Sequence, residues 1–121
     1  MTGVEAVLRA ERLAIGVAGV VLYLVLGGSW LLLVPLLLAI DLSMIGYLAG
    51  PRVGAITYNA AHNFVIALLT VGAGWWFGIA WLQLLGAVWI AHVGADRALG
   101  YGLKLPTDFR DTHLGRIGRD S

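Results

Sequence analysis

Four apolar runs, separated by short glycine- or proline-containing breaks, limit what this chain can fold into. They cover about Leu13 to Leu26, Trp30 to Ala49, Val53 to Val71, and a last stretch that follows "GAGWWFG" and ends between Ala95 and Leu103. Each approaches the ~20 residues a helix needs to cross ~30 Å of hydrocarbon. Only helices and closed barrels satisfy their backbone in that medium, and four segments are too few to close a barrel. The chain is 60% hydrophobic and 12% charged, against about 25% charged in soluble domains. A soluble core of 121 residues could not hide so much apolar surface. The pattern predicts an all-α integral membrane protein, with four transmembrane helices in an antiparallel bundle. The helices fall at about 9–27, 30–49, 52–72 and 76–102, within a membrane domain of residues 1–104, and a short tail covers 105–121.

The breaks and the charges orient the bundle. Gly27-Gly28-Ser29 and Gly72-Ala73-Gly74 tolerate the positive φ of tight turns. Gly50-Pro51 puts glycine at a helix end and proline at the next start. Arg9 and Arg12 precede helix 1, Arg52 lies in the middle turn, and Arg97, Lys104, Arg110, Arg116 and Arg119 end or follow helix 4. All eight basic residues thus lie on one side, which places both termini and the tail in the cytoplasm by the positive-inside rule. Trp30, Trp75 and Trp76 fit an aromatic belt at the opposite face. The absence of cysteine excludes disulfides, thiolate catalysis and zinc–thiolate sites. The lipid bilayer is the expected partner, a homo-oligomer is a second, and no nucleic-acid-binding module is present.

Polar residues inside these runs are expensive and mark function by default. Asp41 precedes Pro51 by ten residues and His62 follows it by eleven, so both sit ~15 Å from the turn in an antiparallel hairpin. Tyr58, Asn59, His62 and Asn63 form one polar stripe on helix 3. "HVGAD" places His92 and Asp96 one above the other on helix 4. Asp41, His62, His92 and Asp96 make a mixed nitrogen and oxygen donor set suited to Zn, Mn or Fe, with Tyr58 and Asn59 placed to orient it. Arg52 or Arg97 could hold an anionic headgroup, and His113 could approach from a tail folded under the cytoplasmic mouth. A structural role competes for each residue: an Asp41–His62 or Asp41–Arg52 lock, interhelical bonds from Asn59 and Asn63, and helix packing at Gly46, Gly54, Gly86 and Gly94. "DLSMIGY" and "DRALGY" share a pattern whose spacing differs by one residue, a hint of two related hairpins.

"DLSMIGYLAGPRVGAITYNAAH", "AHVGADRALGYGLK" and "FRDTHLGRIG" resemble the small bacterial membrane proteins grouped as domain-of-unknown-function family 4260. The likeness runs from about residue 5 to residue 118. The family places proline directly before the aspartate. Here Ile40 stands there and Pro35 lies upstream, a departure in helix geometry rather than chemistry. The resemblance implies a multi-pass protein of the bacterial inner membrane and brings no activity with it. The order of Asp41, His62 and "HVGAD" is also similar to that of bacterial membrane-bound metal-dependent hydrolases, although their paired aspartates and Thr-His-Ser segment are missing.

Three functions fit these residues. The first is a metal-dependent membrane hydrolase on a lipid-like substrate, in which the metal would lower the pKa of bound water. The second is a small transporter or proton relay. The third is haem held by His62 and His92, or a scaffold whose polar residues only specify packing.

Overall fold

The computed structural model describes residues 2–117. Helix α1 spans Gly3–Val25, and α2, Trp30–Ala39, continues into a ten-residue 3-10 segment, Ile40–Ala49. Helices α3 (Pro51–Ala61), α4 (Phe64–Phe77) and α5 (Ala80–Leu99) follow. A small antiparallel hairpin, β1 (Asp111–Thr112) and β2 (Gly115–Arg116), ends the described chain. Arg119 and the rest of the tail beyond residue 117 lie outside the described residues.

Three boundaries differ from the sequence expectation, each for a local reason. Helix α1 begins at Gly3 rather than near Arg9 because Thr2 and Glu5 form a capping box. The Thr2 hydroxyl accepts Glu5 N–H at 3.1 Å, and the Glu5 carboxylate accepts Thr2 N–H at 3.2 Å. The turn expected at Gly72–Gly74 lies inside α4. The chain reverses instead at Gly78, which ends α4 in the left-handed conformation at φ 65°. The expected continuous helix over 52–72 is broken at His62–Asn63, where α3 and α4 meet at a 40° bend.

Helix α5 is the core of the molecule, buried from Gly86 to Ala91 apart from the half-buried Trp89, and again from His92 to Gly94. Small residues let other helices reach it. A Cβ on Gly94 would stand 2.5 Å from the Gly16 backbone nitrogen, and one on Gly19 would stand 2.6 Å from that of Ala91. This is the small-residue contact by which membrane helices approach closely. Gly86 faces Val71 of α4 in the same way, Gly46 meets Thr57, and Gly54 meets the ring of Tyr47. The packing role read for these glycines is therefore visible at each one.

The outward faces are apolar, with Leu31 and Leu48 each 88% exposed and Trp76 84%. Among the described residues, Trp30–Ala49 is the one helical element long and apolar enough by itself to cross a membrane. The bent pair α3–α4 makes a second if it counts as one crossing.

Gly94→Ala should lower the unfolding free energy in detergent by about 1–3 kcal/mol, because its new methyl meets backbone that cannot rotate away. Gly72→Ala, which meets nothing within 4 Å, should be neutral or stabilising by about 0.5–1 kcal/mol. Thermal melts of the two purified variants check the contrast, and equal melting points would contradict this packing.

Candidate metal centre

His62 directly follows α3 as its C-cap residue, at φ −112° and ψ 45°. Its ring stacks on Tyr58 with centroids 3.7 Å apart, and its Nδ1 lies 2.9 Å from the Tyr58 carbonyl oxygen. His92 projects from the buried face of α5, with Nδ1 2.6 Å from the carbonyl oxygen of Leu37 at the end of α2. A ring nitrogen facing a carbonyl carries the proton. Each imidazole is thus held with Nδ1–H donating and the Nε2 lone pair free.

Both lone pairs point at one place. Nε2 of His62 and Nε2 of His92 are 3.1 Å apart. Asp41 Oδ1 lies 3.1 Å from each of them, and Asp96 Oδ2 lies 3.2 Å from His92 Nε2 and 3.7 Å from His62 Nε2. One donor atom from each residue falls within 4.8 Å of all the others. Two unprotonated imidazole nitrogens cannot hydrogen-bond each other, and the carboxylates add only more acceptors. A cation satisfies all four together. Ligands ~2.0–2.1 Å from a tetrahedral ion stand ~3.3 Å apart, close to the spacings observed. Haem does not fit between the same histidines, because trans nitrogens on one iron stand about 4 Å apart with the porphyrin between them.

The matched depth of Asp41 and His62 thus brings them into contact. Because α5 begins at Ala80, near Trp81 rather than Trp75, His92 joins them. The histidines are 2% and 7% exposed, while the carboxylates line a cavity of about 290 Å³. The 3-10 segment has three residues per turn, so Asp41, Met44 and Tyr47 lie on one line facing inward while Leu42, Ile45 and Leu48 face outward. Asp41 and Met44 line the cavity, and Tyr47 packs edge-on against Phe109 of the tail with centroids 5.2 Å apart.

The remaining candidates take other places. Asn59 clamps the tail: its amide oxygen accepts Lys104 N–H at 2.6 Å, and its amide nitrogen donates to the Lys104 carbonyl at 2.8 Å. Asn63 caps α4 by accepting Ile66 N–H at 2.9 Å, and donates back to the carbonyls of Asn59 and Ala60. Arg97 donates to the His62 carbonyl at 2.9 Å. His113 Nδ1 accepts Leu103 N–H at 2.8 Å. Arg52 is exposed in the first turn of α3 and lines neither this cavity nor the one beside Arg97.

Lys104 is the residue the sequence reading passed over. It is 4% exposed, with Nζ 3.9 Å from the Phe109 ring centre and 4.8 Å from that of Tyr58. It lines the same cavity as Asp41 and Asp96. Burial lowers its pKa, and the Asp96 carboxylate acts in the opposite direction. The one sequence signal is a lysine between leucines in "GLKLP", beyond the last apolar run.

A family comparison matches residues 5–117 to the family described as Domain of unknown function (DUF4260), which bears out the resemblance seen in the three sequence blocks. No curated protein and no solved structure matches the chain.

The tail over the cavity should respond to pH. Burial, and next the charge of Arg97, hold His113 below its ordinary value of about 6.5, so the docked tail binds fewer protons than the undocked one. Its stabilisation is present above about pH 6.5 and is lost as pH falls through the depressed value. Protonation also removes the acceptor for Leu103 N–H. Hydrogen exchange at residues 103–113, corrected for intrinsic rate, should accelerate between pH 7.5 and 5.5. Asn59→Ala should accelerate it at both values, and protection indifferent to both changes would exclude this docking.

Proposed function

The chain belongs to the DUF4260 family, and we propose that it is a multi-pass protein of the bacterial inner membrane whose Asp41, His62, His92 and Asp96 hold one divalent metal ion for hydrolysis of a lipid-like substrate. The observation that carries this reading is the convergence of four acceptor atoms from three elements, with both imidazoles fixed by backbone carbonyls so that Nε2 faces inward. Zn, Mn and Fe all suit that donor set. When bound, such an ion supplies Lewis acidity toward water and toward an ester oxygen. The protein's own part is distinct. Asp41 and Asp96 present carboxylates to the open cavity, where they can take a proton from an entering water. Lys104 stands on the wall of the same cavity, placed to hold an anionic group of the substrate. Tyr58 and Phe109 fix that ammonium by cation–π contact.

In this reading the chain makes four crossings: α1, Trp30–Ala49, the bent α3–α4 pair, and α5. The apolar outward faces and the one-sided distribution of basic residues support this arrangement, with both termini in the cytoplasm. A carboxy-terminal green fluorescent protein fusion should fluoresce while the matching alkaline phosphatase fusion stays inactive. The reverse pattern would invert the orientation.

Elemental analysis with an optical spectrum, on detergent-purified protein beside a His62→Ala/His92→Ala double variant, tests the centre. Metal near one per chain in the parent and absent from the double variant is the expected result. A folded parent that stays metal-free after incubation with each of the three ions would overturn the reading. One observation favours a second function, a proton relay: Nε2 of His62 and His92 stand 3.1 and 3.2 Å from Asp41 and Asp96 oxygens beside the cavity, so that a proton entering there can be shared between an imidazole and a carboxylate. That reading predicts liposome proton flux that Asp41→Asn abolishes, and it fails if the flux survives the substitution.

A further inference from the structure

A second cavity, of about 120 Å³, lies between the start of α1, the end of α5 and the tail. Arg9 and Arg12 enter it from consecutive positions on one face of α1, Arg97 from the last turn of α5, and His113 from the tail. Leu8 and Leu114 give it an apolar side. Glu5 is the one acid on its lining, and that carboxylate already accepts Thr2 N–H. Among the described residues, no carboxylate forms an ion pair with any of the three guanidiniums. Arg12 donates to the Leu8 carbonyl at 3.1 Å and Arg97 to that of His62 at 2.9 Å, which leaves each with further N–H donors.

Three guanidiniums against the single carboxylate of Glu5 leave the lining with an excess of positive charge, and Arg12 and Arg97, both half-buried, repel one another across it. An anion entering the cavity removes that repulsion. Guanidinium forks match phosphate oxygens in bidentate pairs. Basic pockets between membrane helices on the cytoplasmic side are suited to anionic lipid headgroups. The apolar side matters too: Val4, Leu8 and Ile15 are exposed along one face of α1 beside the arginines, a surface on which acyl chains can lie.

From this we infer that Arg9, Arg12 and Arg97 form a phosphate-binding site for the headgroup of an anionic phospholipid, separate from the Asp/His cluster. The shared chemistry is a phosphate group, whether on a lipid or free in solution. The inference does not depend on a metal or on hydrolysis, since none of the three arginines belongs to the donor set.

The test uses the full chain in nonionic detergent and an acyl-labelled phosphatidylglycerol, with phosphatidylcholine as the zwitterionic comparison. Binding should favour phosphatidylglycerol, and Arg9→Gln/Arg12→Gln should weaken it by about tenfold or more, as loss of charge-assisted forks implies. Arg52→Gln removes the same charge from the exposed turn and should change affinity less than twofold. Arg9→Lys/Arg12→Lys keeps the charge and loses the fork, and its affinity should fall between parent and glutamine variant. It also decides the matter should the glutamine variant not fold. Competition by inorganic phosphate alone would assign the site to free phosphate, and its absence to the lipid headgroup. Equal binding of both lipids, unchanged binding by the arginine variants, or an equal loss with Arg52→Gln would overturn the inference.

Discussion

The rest of the structure depends on how the chain breaks its third apolar run inside apolar surroundings. A helix end leaves carbonyls without partners, and in a dry environment each is costly. Here the end of α3 is fully accounted for. The Tyr58 carbonyl accepts both the backbone N–H and the ring of His62. Those of Asn59 and Ala60 accept the Asn63 amide, that of Ala61 accepts the Trp89 indole N–H at 2.5 Å, and that of His62 accepts Arg97. Two of these donors come from α5. The break is therefore possible only because α5 passes beside it, and the break in turn holds His62 against His92.

That coupling explains why α5 is the most buried element. It packs on α1 through glycines and on α4 through Gly86, and it takes up the loose carbonyls of α3. Asp96 and Arg97 project from its last turn into two different cavities, and His92 lies buried one turn earlier against His62. Helix α5 thus carries half of the acidic and imidazole donors of one site and one of the three arginines of the other. Its glycines permit the close approach that keeps the polar atoms buried.

Much of this was legible in the sequence, unevenly so. Asp41, His62, His92 and Asp96 could be picked out because a charged or imidazole side chain within an apolar run has few places to go. Residue counting about Pro51 matched two of them. The break at His62 was not legible, since no glycine or proline marks it. Its signal is Asn63, a cap residue directly before the apolar "FVIALL". The turn was misplaced because the three glycines in "GAGWWFG" look alike in sequence, while Gly74 packs closely against Gln83 within the helix. Asn59 and Lys104 could not be paired in advance, because their contact closes a loop of 45 residues through tertiary structure alone.

The 3-10 winding of Ile40–Ala49 affects more than the alignment of Asp41, Met44 and Tyr47. Twenty residues wound as α-helix reach ~30 Å, but ten α and ten 3-10 residues reach ~35 Å, because each 3-10 residue advances ~2.0 Å instead of ~1.5 Å. The segment Trp30–Ala49 is therefore longer than the hydrocarbon layer of an ordinary bilayer is thick. In a membrane it must tilt, or lift one end into the headgroups, and either accommodation has a modest energetic cost per ångström of mismatch. For a segment of this length, a thinner membrane favours a more tilted placement and a thicker one an upright placement, and Asp41 shifts in depth with it.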